Sequence, residues 1–413
     1  MCILSAVFCG GAAATPPCSS GTKQIGAHET RRAESFAPFD AAIDSLMRTW
    51  EIPGTALAIG VEGDIAYCRG FGLADVEKGR PVEPDSLFRI ASVSKSLTGA
   101  AILRLADEGR IALDAPAFTL LPDITPLPQG KADPRLGDIT VRDLLYHMGG
   151  WNRLARNDPL LRNTNIMACR VMGLEPPAGP KEVIRYRISR PLDFRPGTRY
   201  AYSNLGYVVL GRVIESVSGT PYEAYVSREV LSPSGVARAF IGGTSTTDRA
   251  PGEVSYYEIH GNEKVASLLN PDTLTPWPYG GFDLRAMDAA AGWVCSAPDL
   301  VRFALHLIMP REKGGLLSPA MLTTLAQGAE NMGVEASDWH YGCGWRVRKL
   351  DQGAFLWHNG TLPGTSSLLA IDHDGMAWAV LMNARPADFN AFNSALNDAM
   401  EDAARQTRLN LRR

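Results

Sequence analysis

Both ends of this 413-residue chain read as strand pairs, and that constrains the fold more than any other feature. Thr55 to Val61 and Ile65 to Phe71 lie on either side of Glu62-Gly63-Asp64, the pattern of a β-hairpin. Near the other end, Ser366 to Ile371 and Ala377 to Leu381 flank Asp372-His373-Asp374-Gly375 in the same way. A helical pattern lies outside each pair. Ile43, Leu46, Met47 and Trp50 precede the first and stop ahead of Pro53-Gly54; Phe389, Phe392, Leu396, Ala399 and Ala403 follow the second. Hairpins at both ends with helices outside them point to one antiparallel sheet built from the two chain ends and covered by the terminal helices. The middle, about residues 96–290, reads as an inserted helical region with long loops, broken by proline stretches such as Pro122 to Pro134 and Pro176-Pro177-Ala178-Gly179-Pro180. The expected class is α+β. The expected division is a leader or disordered tail over 1–35, a discontinuous α/β sheet domain over 36–95 and 291–407, and a helical domain over 96–290.

Ser92-Val93-Ser94-Lys95 opens an apolar, helix-forming run (Leu97, Ala100, Ala101, Ile102, Leu105) that stops at Gly109. Side chains three residues apart share a helix face. The spacing sets a lysine beside a serine hydroxyl, which becomes a nucleophile once a neighbouring base takes its proton. Ser-x-x-Lys alone also describes a capping serine followed by a solvated lysine. Two later segments change its meaning: Pro196-Gly197-Thr198-Arg199-Tyr200-Ala201-Tyr202-Ser203-Asn204 and Phe355-Leu356-Trp357-His358-Asn359-Gly360-Thr361. Tyr202-Ser203-Asn204 and His358-Asn359-Gly360 stand second and third in a three-part signature whose other forms are Ser-Asp-Asn and Lys-Thr-Gly.

With these motifs the chain resembles the serine β-lactamase and penicillin-binding-protein superfamily. Within it, the chain is similar to the branch holding class C β-lactamases, D-alanyl-D-alanine carboxypeptidases and family VIII carboxylesterases, which uses Tyr-x-Asn second and Lys/His-x-Gly or Trp-x-Gly third. The likeness extends through Ile52-Pro53-Gly54, Phe88-Arg89-Ile90-Ala91, Leu144-Leu145-Tyr146-His147 and Ala291-Gly292-Trp293, over roughly residues 36–385. It implies a β-lactamase/transpeptidase-like fold with the active site between sheet and helical region. Ser92 is then the nucleophile, and its own N–H at a helix N-terminus meets developing negative charge. Lys95 is the adjacent base or the cation that lowers a neighbour's pKa. Tyr202 is the second candidate base; a free phenol titrates near ~10 and needs a cation to work at neutral pH. The two titrate as a coupled pair. Asn204 orients Lys95, holds a substrate carbonyl or makes a turn. Gly360 lets the strand come close to substrate, and the N–H of Thr361 is the second oxyanion donor. His358 replaces a fixed lysine charge with a group that titrates near ~6.5. Asn359 stands where many relatives carry a hydroxyl that helps read a substrate carboxylate, which puts that recognition in doubt; Thr361 and Thr365 are the candidate substitutes.

The expected function is a cofactor-free serine hydrolase working through an acyl-enzyme on a small-molecule ester, amide or peptide. A carboxylesterase-like or small-amide hydrolase leads; a D-Ala-D-Ala or D-amino-acid peptidase, a β-lactamase and a non-catalytic acyl-binding sensor are the alternatives. A net charge of −3 without a Lys/Arg block argues against nucleic acid. No apolar run approaches the ~18 residues that span a bilayer. No metal motif, Gly-x-Ser-x-Gly or phosphate loop is present. His147 reads as a structural loop histidine. Tyr256-Tyr257 and residues 276–283 fit either cleft lining or packing. Met1 to Ala14 resembles the apolar core of a secretory signal without its basic start, which points to a periplasmic or secreted protein, a cytoplasmic one being the alternative. Of seven cysteines, three fall in the leader, and Cys68, Cys169, Cys295 and Cys343 are expected as buried free thiols.

Overall fold

A computed structural model of the protein describes residues 34–153, 162–259, 264–270, 272–328 and 338–412. The leader expected over 1–35 lies outside them, its last two residues excepted. In chain order, the elements that build the site are helix α1 (Ala37–Trp50), strands β1 (Gly54–Val61), β2 (Asp64–Asp75) and β3 (Arg80–Pro81), helices α2 (Ser94–Asp107), α3 (Asn204–Ser218) and α4 (Ala297–Ile308), strands β4 (His340–Tyr341), β5 (Arg346–Lys349), β6 (Ala354–Leu362), β7 (Thr365–Ile371) and β8 (Ala377–Met382), and helix α5 (Phe389–Leu411).

One antiparallel sheet runs β4-β5-β6-β7-β8-β1-β2-β3. Its centre is the seam between the chain ends: β1 pairs with β8 from Thr55↔Met382 to Gly60↔Ala377. The first hairpin turns through Glu62 and Gly63, both at positive φ (56° and 89°), a conformation that matches the right-handed strand twist. Side chains alternate across this sheet with period two. Leu57 and Ile59 face α1 and α5, where Phe39, Ile43, Leu46, Phe392, Leu396 and Met400 cover them. Ala56 and Ala58 face the other way into the main core. Helix α4 lies on that second face, and a Cβ at Gly60 would come 2.6 Å from Leu305 and 2.7 Å from Val301. Small residues there let the helix approach closely. The terminal helices are those expected; the cover by α4, with which β8 and all of β1 but Val61 are buried, is an addition to that expectation.

Helix α2 has eleven of its fourteen residues buried, Lys95 among them. It therefore runs through the interior instead of lying on the surface with one apolar stripe. It ends as the sequence suggests: Gly109 is left-handed (φ 69°) and Arg110 N–H returns to Leu105 O at 2.9 Å. The stretch from 232 to 287 departs from the helix-rich expectation. Its described residues are loop with short strands such as Phe240–Ile241 and Leu274–Pro276. Runs such as Gly242-Gly243-Thr244-Ser245-Thr246-Thr247-Asp248 favour turns over helix.

Cys169, Cys295 and Cys343 are buried free thiols, as expected. Cys68 corrects that expectation, because it is disulfide-bonded. It lies half-buried on β2, at the edge of the core that shelters the other three. Among the described residues no helix is long and apolar enough to cross a membrane.

Candidate active site

The chain reaches Ser92 through a tightly held turn. The strand Leu87–Arg89 pairs with Trp293–Ser296, and Ile90 N–H continues the ladder to Trp293 O at 2.9 Å. Ala91 then takes φ 47°, a left-handed conformation costly for a residue with a side chain. Its surroundings enforce it. Ser367 Oγ on β7 donates to Ile90 O at 2.8 Å. Gly360 on β6 lies against the same residue, and a Cβ there would collide with Ile90 O and Ser367 Oγ. The glycine thus brings the third motif's strand against the Ser92 turn. Arg89 anchors the turn from below, buried, with Nη1 donating to Pro278 O at 2.6 Å and its guanidinium over the rings of Tyr256, Tyr279 and Phe282. That settles Tyr256, Tyr279 and Phe282 as packing around Arg89.

Helix geometry delivers the second residue. Lys95, one turn after Ser92, is fully buried and its Nζ lies 3.2 Å from Ser92 Oγ. The same nitrogen donates to Asn204 Oδ1 at 2.7 Å and to Ala290 O at 2.8 Å. Asn204 is the first residue of α3, capped by Ser203, whose hydroxyl accepts Gly206 N–H. Of its three expected uses, Asn204 shows the contact to Lys95. Ala290 is fixed by a buried ion pair, Arg212 Nη2 to Asp288 Oδ2 at 2.5 Å, with Asp288 Oδ1 accepting Ala289 N–H. Lys95 Nζ sits 4.9 Å from the ring centre of Tyr202. Ser92, Lys95, Tyr202 and Asn204 are therefore brought together. Arg153 also lies against Tyr202, its Cζ 4.6 Å from the ring centre.

The third motif behaves differently. His358 is buried, its Nδ1 bonds the Asn359 carbonyl oxygen at 2.7 Å and its Nε2 bonds the Tyr341 hydroxyl (Oη) at 2.8 Å. A carbonyl only accepts, so Nδ1 carries the proton and Nε2 accepts from the Tyr341 hydroxyl. Burial, and then the charges of Lys95 and Arg346, push its pKa well below the usual histidine value. His358 is a neutral imidazole here, with no charge to offer Tyr202, whose ring centre is 6.4 Å away. By strand alternation Asn359 and Thr361 turn to the opposite face. Asn359 pairs with Asn397 of α5 (Nδ2 to Oδ1, 2.9 Å) and accepts from Arg346 Nη1 at 3.2 Å. Thr361 Oγ1 accepts from Asn393 at 3.3 Å. Thr365 is buried on β7.

A second imidazole, read from the sequence as structural, lies at the centre of the site. His147 is buried with φ 58°. Its ring is 4.2 Å from that of Tyr202 and 4.3 Å from that of Tyr341. Burial first, then Lys95, His358 and Arg153, press its pKa well below the usual value. Tyr200, Tyr207 and Tyr341 complete the surroundings, and burial raises all three, so they stay protonated. Lys95 is thus buried in a cage of phenols and two neutral imidazoles. Tyr341 and Arg346 carried no sequence signal, lying outside the three motifs; Ala290 adjoins the family-like Ala291-Gly292-Trp293.

The beta-lactamase family profile matches residues 39–400. The chain belongs to the beta-lactamase family. It is similar to "Esterase EstB" of Burkholderia gladioli, 34% identical over 217 residues, which cover 49% of this chain and 51% of that protein. That match therefore spans about half of the relative's length. Among solved structures, the D-amino acid amidase from Ochrobactrum anthropi SV3 superposes with a TM-score of 0.66 at 21% identity, covering 90% of this chain and 99% of that one. A D-stereospecific amidohydrolase from a Streptomyces species superposes with a TM-score of 0.63 at 24% identity, covering 86% and 94%. At these identities the two structures establish the β-lactamase-like fold, as the sequence motifs implied.

Proposed function

We propose that this protein is a cofactor-free serine hydrolase that turns over small esters or amides through an acyl-enzyme on Ser92. One observation carries the reading: Lys95 Nζ bonds Ser92 Oγ while also lying beside Tyr202. The serine oxygen accepts from the ammonium and keeps its own proton to give. The Lys95–Tyr202 pair, which in the reacting form is one proton short of ammonium plus phenol, takes that proton as Ser92 Oγ attacks the carbonyl carbon. The N–H groups of Ser92 and Thr361 stabilise the oxyanion. Collapse expels the alcohol or amine, which receives the proton from the same pair; water then repeats the sequence and releases the acid and free Ser92. An ester or small-amide substrate fits best, in keeping with a relative named as an esterase and fold neighbours named as amidases.

Arg346 favours a second reading. It lies against Asn359 at 3.2 Å and has no carboxylate partner among the described residues. A guanidinium at this place suits a substrate with a free carboxylate, as a D-Ala-D-Ala carboxypeptidase requires. The deciding experiment sets p-nitrophenyl esters, D-amino-acid amides, carboxylate-bearing D-Ala-D-Ala mimics and nitrocefin against wild type, Ser92→Ala and Arg346→Gln. Ser92→Ala is expected to abolish turnover and fluorophosphonate labelling. An adduct on Ser94 or Ser203 would defeat the assignment, and an adduct that forms on Ser92 but never turns over would point to a sensor. A tenfold preference for carboxylate-bearing substrates that Arg346→Gln removes, about 1.4 kcal/mol, would establish the peptidase reading. Export belongs to the same proposal, on the apolar run Met1 to Ala14, and N-terminal sequencing of the mature protein checks it.

A further inference from the structure

We propose that His147 is a positioning residue for Tyr202, clamping the chain on both sides of the phenol and backing its ring. The proposal rests on the reading of Tyr202 as half of the proton-transfer pair. The clamp is made of two bonds from one residue. Ala201 N–H donates to His147 O at 2.9 Å, and Ser203 N–H donates to His147 Nδ1 at 3.1 Å. Tyr202 is the residue between them, and the imidazole packs against it with ring centres 4.2 Å apart. A backbone N–H only donates, so Nδ1 is the accepting nitrogen and the ring proton is on Nε2. That Nε2 is buried and has no hydrogen-bond partner among the described residues. The cost of an unmet buried donor is tolerated at this place. So is the left-handed backbone of His147, which turns its carbonyl and ring toward the same segment.

The arrangement explains why a histidine stands here. The residue must accept at the Nδ1 position, adopt positive φ and present a flat ring to Tyr202. Histidine and asparagine are among the side chains that enter the left-handed region most readily. Asparagine places Oδ1 near where Nδ1 lies; glutamine reaches the Nε2 position and leaves Nδ1's place empty. The test compares His147→Asn, His147→Gln and Tyr202→Phe in the full-length protein. Ester kcat is normalised to the sites that a fluorophosphonate labels, so unfolded protein does not count. His147→Gln is expected to lower kcat per labelled site by about ten- to a hundredfold, the scale of a misplaced catalytic group, with KM changed by less than about threefold. His147→Asn is expected to restore kcat to within about threefold of wild type, because it keeps the Ser203 contact. A His147→Gln protein with wild-type kcat, or one equal to His147→Asn, overturns the clamp. If either fails to label at all while the other retains activity, the same ranking decides. Tyr202→Phe with undiminished kcat would overturn both this inference and the proton-transfer reading. Impaired Tyr202→Phe beside indistinguishable His147 variants would overturn this inference alone.

Discussion

The two walls of the cleft use their residues in opposite ways. On the helical wall, Ser92, Lys95, Asn204 and Tyr202 touch one another through their side chains, at 3.2 Å, 2.7 Å and 4.9 Å from Lys95 Nζ. On the sheet wall, the side chains of the third motif turn to their own neighbours: His358 to Tyr341, Asn359 to Asn397 and Arg346, Thr361 to Asn393. What that wall gives the Ser92 turn is backbone, brought close by the missing side chain of Gly360. Chemistry resides in side chains on one wall and in the course of a strand on the other.

The largest effects should therefore come from the helical wall. Lys95→Ala and Tyr202→Phe should each lower kcat by about 10²–10⁴-fold, the range for a lost general acid–base. The double variant should lose far less than the product, because a shared proton-transfer step is lost only once. Circular dichroism keeps folding separate from kinetics. Multiplicative losses would show that the two residues act in different steps, and the helical wall would no longer be one unit.

Gly360→Ala probes the sheet wall where it matters most. The new methyl meets Ile90 O and Ser367 Oγ, so β6 must move away from the Ser92 turn. Overpacking of this kind costs about 1–3 kcal/mol of stability, and a displacement of ~1 Å costs about a hundredfold in rate. Urea unfolding and kcat per labelled site read the two separately. A Gly360→Ala enzyme with wild-type kcat would mean the strand's approach is not needed, and the contrast between the walls would lose its second half.

A pH effect of intermediate size distinguishes the walls again through their imidazoles, His147 on one side and His358 on the other. Both have pKa values lowered well below 6.5 in the fold. The unfolded chain protonates them near ~6.5 while the folded one does not, so below that pH the unfolded state binds more protons. Stability is then complete above ~6.5 and falls as the pH drops, by up to about 1.4 kcal/mol per pH unit for each histidine. Urea midpoints from pH 7.5 to 5 should show the decline, and His358→Gln should flatten it relative to wild type. Parallel curves for the two proteins would show that His358 titrates normally and is not locked by Tyr341.

The sequence displayed much of this and hid the rest for physical reasons. Ser92 and Lys95 were legible because helical spacing is local: three residues fix one face. The sheet seam was legible because hairpin and helix patterns recur at both ends. Helix α4's cover was hidden because β1's two faces, Leu57 and Ile59 against Ala56 and Ala58, are both apolar and name no partner. His147 stood in a segment that resembled the family, but its role needs Ala201 and Ser203 brought to it across the fold. Tyr341 and Arg346 were invisible for the same reason. Their partners, His358 and Asn359, lie on a neighbouring region of the sheet, and only strand register supplies the contact.

Asn359 is where the sequence and the geometry pull hardest against each other, and its substitution should have the smallest effect. As a departure from the family's hydroxyl, it argued for weak handling of substrate carboxylates. In the fold its amide is already engaged by Asn397 on one side and Arg346 on the other. A threonine there would lose part of that network, a neutral hydrogen bond or two at about 0.5–1.5 kcal/mol each, felt in stability. The Arg346 guanidinium would remain and could swing to an incoming carboxylate. Asn359→Thr should accordingly change kcat/KM for neutral esters by less than about threefold, under ~0.7 kcal/mol in transition-state binding. The comparison that sharpens the point is the ratio of carboxylate-bearing to neutral substrates in Asn359→Thr and in Arg346→Gln. A shift greater than tenfold in the asparagine variant, with none in the arginine variant, would make the third motif's side chain the specificity element. The sheet wall would then act through its side chains as the helical wall does.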